Sequence, residues 1–331
     1  WSVFRFADQG EAEQQWGMNF YRYVRRYRSD YVWRAMDPNQ EGLMNQGGLL
    51  TGIRGITPPP RFSLYPYAST YVNAEDGQTD VAVNGGLDLK VGMGEAFTLD
   101  MTLVPDFGQV VADNLVLNLS PYEVRFNENR QFFTEGTELF NKTSNFYSRR
   151  VGAGEQLLNA SKVTGRTSTG TGLGLLNAIS QDGNGELTDF SVAVVDQNLP
   201  NNGFVAVQSG QVIREGDRRD DWVGSAAFEV RDSLQRWSLY GQGGVNRRSD
   251  LNHGEGEGHG WSLEVSRIKG RLQWTAGHYT ETPEYDPNAI GFLSAPNAAV
   301  DYASVEYRIP QPFEVMGLGF NRMSWEFQTE R

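Results

Sequence analysis

The sequence predicts an all-β chain, an antiparallel up-and-down transmembrane β-barrel with a long inserted loop or plug, whose wall stops short of closing. Three observations lead there. From Asp80 to Val104 apolar and polar residues alternate, with Val81, Val83, Leu87, Leu89 and Val91 on one face and Asp80, Asn84, Asp88 and Lys90 on the other. Beyond Gly92-Met93-Gly94, Phe97, Leu99, Met101 and Leu103 oppose Thr98, Asp100 and Thr102. A period of two is the signature of strands, and an apolar face backed by charges predicts lipid on one side and water on the other. Val81, Val83, Leu87, Leu89, Phe97, Leu99, Met101 and Leu103 are therefore expected to face lipid, and Asp88, Lys90 and Asp100 the lumen. The second observation is repetition: further runs of about 8–11 residues, the span of a tilted transmembrane strand, follow one another. The third is their links, some tight and some long and polar, the pattern of a barrel with short turns on its periplasmic side.

Taken in order, the wall opens with Phe62 to Val72, whose Tyr65, Tyr67 and Tyr71 form a row suited to a lumen lining or an aromatic belt. The later runs are Leu173–Ile179, Asp189–Val195, Trp222–Val230, Arg236–Val245, Trp261–Ile268, Arg271–Tyr279, Val300–Ile309 and Leu318–Phe327. In the Trp222 run, Trp222, Gly224, Ala226, Phe228 and Val230 oppose Ser225, Glu229 and Arg231. Lys269-Gly270 reads as a tight link and Asp182-Gly183-Asn184-Gly185 as a primed hairpin turn. Arg247–Gly260 and Glu281–Asn297 read as long polar links. A soluble lipocalin-like barrel or β-sandwich is the competing architecture; its charges would lie outside and its apolar face inside.

Composition agrees with a membrane barrel and excludes much else. In 331 residues there are 38 glycines, 12% aromatic residues and 39% hydrophobic residues, and the mean hydropathy is −0.50. No apolar run of about 18 residues occurs, which excludes a helical membrane protein but not a barrel, because half of each barrel strand is polar. A net charge of −12 argues against nucleic acid as a partner. The absence of cysteine removes disulfides, thiol catalysis and zinc–thiolate sites. The alternation still running at Arg331 predicts that the barrel lacks an end.

Residues 1–60 differ from the rest. Trp16, Met18, Phe20, Tyr21, Tyr23 and Val24 interleave with Arg22, Arg25, Arg26 and Arg28, reading as an amphipathic strand with its arginines solvated or packed on aromatic faces. Trp16 and Trp33 are candidates for a glycan platform. Thr57-Pro58-Pro59-Pro60 then stiffens the chain as a linker.

Between the strands lies an insert, residues 105–152, of weak periodicity and many aromatic and charged residues. A connection of this length is a folded functional loop or a plug. Glu128, Glu135 and Glu138 are expected to pair with Arg125, Arg130, Arg149 and Arg150, forming a lumen or plug charge network. As a glycosidase carboxylate pair they carry little weight, since a three-residue separation fixes no distance outside a helix.

The insert also carries a resemblance. Its Pro105-Asp106-Phe107-Gly108-Gln109, Asn129-Arg130-Gln131-Phe132-Phe133 and Tyr147-Ser148-Arg149-Arg150 runs, with Trp16-Gly17-Met18-Asn19-Phe20 upstream and Ala289-Ile290-Gly291-Phe292-Leu293 after Tyr285-Asp286-Pro287, resemble a Bacteroidetes-type bacterial envelope family. That resemblance implies an outer-membrane β-barrel of unknown function, usually preceded by a carbohydrate-binding-module-family-9-like sandwich. Residues 1–60 would then hold a remnant of the sandwich and its linker, and residues 61–331 the barrel.

No catalytic motif stands out: there is no nucleophile elbow, P-loop or zincin helix. His253 and His259 lie in a Gly/Glu-rich stretch that reads as a solvated loop, and no metal or other cofactor is expected. Gly170-Thr171-Gly172-Leu173-Gly174 reads as a place of close packing in the wall. The functional expectation is a non-catalytic protein of the Gram-negative outer membrane acting in transport, assembly or glycan handling. Its partners would be outer-membrane lipid and, as further candidates, envelope proteins or glycans. The alternative is a cell-surface carbohydrate-active enzyme or carbohydrate-binding protein.

Overall fold

The structure, a computed structural model, describes residues 13–37, 39–40, 46–54, 61–75, 78–94, 96–105, 116–216, 218–250, 254–309, 311–320 and 323–331. Its strands are β1 (Gln14–Met18), β2 (Tyr21–Val24), β3 (Ser29–Val32), β4 (Gly48–Ile53), β5 (Phe62–Glu75), β6 (Gln78–Met93), β7 (Phe97–Leu103), β8 (Gln156–Arg166), β9 (Thr171–Gln181), β10 (Leu187–Asn198), β11 (Phe204–Arg214), β12 (Asp220–Arg231), β13 (Trp237–Asp250), β14 (Gly254–Arg267), β15 (Leu272–Glu281), β16 (Ala299–Ile309), β17 (Phe313–Val315), β18 (Leu318–Phe320) and β19 (Met323–Glu330). Thirteen of these, β5 to β16 with β19, form one antiparallel sheet in which each strand pairs with its neighbour in the chain. β5 and β19 are its edges, so among the described residues the wall is open. Small ladders join β1 to β4, β2 to β3 and β17 to β18.

Cross-strand partners share a face, so the register extends the alternation across the whole sheet. One row passes through Leu64, Leu89, Met101, Ser161, Asn177, Ser191, Gln211 and Trp222. The opposite face carries the row Tyr65, Asp88, Thr102, Ala160, Ala178, Phe190, Val212 and Asp221. Tyr65, Tyr67 and Tyr71 thus lie on the face of Asp88 and Lys90. In β12 the alternation of Trp222 and Phe228 against Ser225 and Glu229 appears as read.

A meander places its connections alternately at two ends. The links at 94–96, 167–170, 199–203, 232–236 and 268–271 fall at one end. Those at 104–155, 182–186, 215–219 and 282–298 fall at the other, so both of the longest connections leave the sheet from the same end.

Four local readings need correction. β8 and β11 are full strands within stretches that the alternation passed over. The described residues of Arg247–Gly260 are strand, not a long loop: β13 runs to Asp250 and β14 starts at Gly254, pairing Arg247 with Glu257 and Arg248 with Gly256. Gly258 has a packing reason, since a Cβ there would meet the backbone of Glu284 and Tyr285 at 2.3 Å; its absence leaves room for the 282–298 connection. Residues 182–186 form a three-residue loop rather than a primed turn: only Gly185 has a positive φ (89°), and its N–H reaches Asp182 O at 3.1 Å. Finally, Leu318–Phe327 contains two strands, β18 pairing with β17 and β19 with β16.

Candidate functional site

Residues 126–151 of the insert and the 282–298 connection lie on the face of Asp88 and Lys90. Phe133, Leu139, Phe140, Phe146 and Val151 from the insert and Ile290 from the connection are buried with Leu176, Ala178, Phe190, Val192, Val194, Val212 and Val223 of the sheet. The sequence makes room for this at β9. A Cβ on Gly174 would meet Val194 Cγ1 at 2.7 Å and Phe140 Cζ at 3.0 Å, and one on Gly172 would meet Asp196 Oδ1 at 1.9 Å and Leu139 Cδ2 at 2.6 Å. Glycine at these positions lets the insert approach the wall. The insert is also tied to the other connection: the Tyr147 N–H donates to Ile290 O at 2.8 Å, and Asn145 Nδ2 to Tyr285 Oη at 2.9 Å.

Charges surround this packed centre. Lys162 of β8, only 1% exposed, donates to the carbonyls of Phe132 and Glu135 and lies 4.7 Å from the Phe132 ring centroid. Lys90 bridges Asp100, at 3.2 Å, and Glu135. Glu128 accepts from Arg130 Nε at 3.0 Å and Nη2 at 2.8 Å, and from Ser148 Oγ at 2.7 Å. Arg130 in turn donates to Val151 O at 2.8 Å and Ser148 O at 2.6 Å. Burial pushes the Glu128 carboxyl up, but the Arg130 guanidinium and the other donors outweigh it and hold the group below the ordinary carboxylate value.

Of the remaining candidates, Arg150 pairs with Glu123 at 2.7 Å and Arg149 donates to Asn127 O at 2.7 Å. The Arg125 guanidinium lies 5.5 Å from the ring centroids of both Tyr147 and Phe292. Glu138 makes no hydrogen bond or ion pair among the described residues. Glu135 meets a lysine from β6 rather than an insert arginine, and Arg150 takes Glu123. Sequence spacing alone gives no signal for Lys162, Glu123 or the Asn145–Tyr285 contact, because each depends on how the insert folds back. With both Glu128 oxygens held by Arg130 and Ser148, this carboxylate is built to anchor a loop, not to shuttle protons.

The eight apolar candidates of β6 and β7 share the opposite face, where Val81 is 56% and Val83 72% exposed. Trp33, 59% exposed, stacks over Gly48, which pairs with Met18 on the ladder where Trp16 faces Leu50; the register puts both tryptophans on one face. His259 lies within β14, while His253 and residues 106–115 fall outside the described residues. Among the described residues no group of histidine and acidic side chains is arranged to hold a metal ion.

A family model described as a domain of unknown function, DUF5916, matches residues 58–156 and 153–331. The chain belongs to this family. Its match spans the thirteen-stranded sheet, the insert and the 282–298 connection, so the packed face is a feature of the DUF5916 region. No curated protein matches the chain. Among solved structures, Pseudomonas aeruginosa OpdK with vanillate is similar at 13% identity and a TM-score of 0.35, over 77% of this chain and 69% of that one. Pseudomonas aeruginosa OccK10 (OpdN) is similar at 13% identity and a TM-score of 0.31, over 75% of this chain and 76% of that one.

Proposed function

We propose that the sheet is the wall of a β-barrel in the outer membrane of a Gram-negative bacterium, with the insert as a plug on its lumenal face. The chain would then serve as a non-catalytic, plugged channel of the envelope. One observation carries this reading: a meander of thirteen strands exposes apolar rows on one face while its other face is polar or covered by its own connections. Leu64, Val83, Leu175, Val207, Leu263 and Trp325 all stand open on the first face. In water such a continuous surface is an association hazard, whereas in a bilayer it is the required lipid contact.

The polarity of the wall follows. The end with only short turns among β6 to β15 is the periplasmic one, by the usual asymmetry of such barrels, and the long connections that cover the lumen enter from outside. The N-terminal segment reaches the periplasmic end, where Asn39 O accepts the Gly270 N–H at 2.9 Å and Gln40 bridges Lys269. An association with a carbohydrate-binding module would therefore be periplasmic.

Membrane fractionation tests the proposal. The protein is expected in the outer-membrane fraction, resisting carbonate and urea and released by detergent; recovery in the periplasm or in the carbonate wash would contradict it. A second reading rests on the shared face of Trp16 and Trp33, a surface for stacking on sugar rings. Glycan-array binding that disappears in Trp33→Ala would favour that reading.

A further inference from the structure

The apolar face is interrupted near its middle among β8 to β11, apart from the charged pairs Arg247–Glu257 and His278–Asp301 further along the sheet. Ser161 of β8, Asn177 of β9, Asp189 and Ser191 of β10, and Ser209 and Gln211 of β11 form a polar patch across four adjacent strands on it. Apolar residues surround the patch, with Leu175, Val195, Val207 and Ile213 all exposed. It is organised: Asn177 Nδ2 donates to Asp189 Oδ2 at 2.8 Å and to Ser191 Oγ at 3.0 Å, Ser191 Oγ donates to Asp189 Oδ1 at 2.8 Å, and the Trp222 indole donates to Ser209 Oγ at 2.9 Å. A shallow hollow of about 390 Å³ lies over it, with Ser161, Asn177, Ser191, Ser209 and Gln211 as the polar half of a lining that is otherwise apolar.

Ser161, Asn177 and Ser209 are close to the midpoints of eleven-residue strands. If these strands span the membrane, as proposed above and as this inference requires, the patch sits deep in the lipid layer. Hydrocarbon offers no hydrogen bonds, and polar groups facing it are costly unless something covers them. The exposed amide of Gln211 has no hydrogen-bond partner among the described residues, and Asp189 is an ionisable group where such groups mark functional contacts.

We infer that this patch is the contact between two copies of the chain, packed side by side in the membrane about a twofold axis. The chemistry of the patch selects a second copy. The Asp189 carboxylate, which only accepts, is already met by Asn177 and Ser191, while serine hydroxyls and the glutamine amide both donate and accept, so the surface is complementary to itself, as an isologous interface must be. A lipid tail satisfies none of these groups.

The absence of cysteine from the chain makes the test clean. Single variants Ser209→Cys and Asn177→Cys, with Val83→Cys as a control elsewhere on the same face, are treated in isolated outer membranes with a bifunctional methanethiosulfonate. A product of twice the monomer mass at positions 209 and 177, absent at position 83, is expected. No product, equal product at all three positions, or an adduct of another mass would each overturn the inference. A companion variant, Asn177→Leu with Gln211→Leu, keeps the strands and makes the patch apolar; it is expected to abolish the dimer while leaving the heat-modifiable migration of a folded barrel. Persistence of the dimer in this variant would also overturn the inference. Absence of the protein from the membrane fraction would remove the wall itself, an outcome distinct from a folded wall that fails to cross-link.

Discussion

Glu128 shows how one side chain anchors a long connection. Its carboxylate gathers Arg130 and Ser148, and Arg130 gathers two carbonyls. Because its folded-state pKa is lowered, its contribution is present above the unfolded value of about 4.3 and is lost as pH falls through the folded value. The protection of residues 128–151 against hydrogen exchange, taken relative to the intrinsic rate at each pH, should therefore be high at neutral pH and fall on acidification below that unfolded value. Glu128→Gln should exchange faster already at neutral pH and lose that acid step; an unchanged step would assign it to another group. Two positions report on packing. Phe140→Ala should cost about 3–5 kcal/mol, as deletion of a buried aromatic does. Gly174→Val should cost about 1–3 kcal/mol by overpacking, given Phe140 and Val194 above it; thermal unfolding in detergent measures both.

At the scale of the element, strands are legible where only one face is apolar. β6, β7 and β12 could be read directly because lipid and water are expected to divide their faces. β8 and β11 could not, for opposite reasons along each strand. Phe204-Val205-Ala206-Val207 is apolar on both faces because the insert covers the face that would otherwise be polar, as Lys142 over the Phe204 ring illustrates. Ser161, Ser209 and Gln211 make the outer face polar where the patch lies, so period two disappears. The Gly254–Gly260 stretch was illegible as strand because two of its alternate glycines, Gly258 and Gly260, answer a connection from elsewhere in the chain. A paired substitution follows from the faces. Leu99→Arg should destabilise the folded state in bilayers by about 2–4 kcal/mol, whereas Thr98→Arg, pointing to the polar face, should cost much less. Urea unfolding in liposomes compares the two, and equal costs would contradict the assignment.

For the whole molecule, composition and alternation sufficed for an all-β wall, while the covering of its inner face was legible only as an unusually long insert. Which charges meet depends on contacts such as Lys90 with Glu135, 45 residues apart, and these follow from the folded path rather than from spacing. If the insert occludes a lumen, purified protein should show little conductance in planar bilayers, and the Phe140→Ala variant, with a loosened insert, should show more frequent opening. The central claim is that one face of the sheet meets lipid. Spin labels placed singly at residues 97 to 103 of β7 in proteoliposomes test it most directly. The account predicts high oxygen accessibility at positions 97, 99, 101 and 103 and low accessibility at 98, 100 and 102. Uniform accessibility along the strand, or collisions only with a water-soluble relaxant at the odd positions, would contradict it.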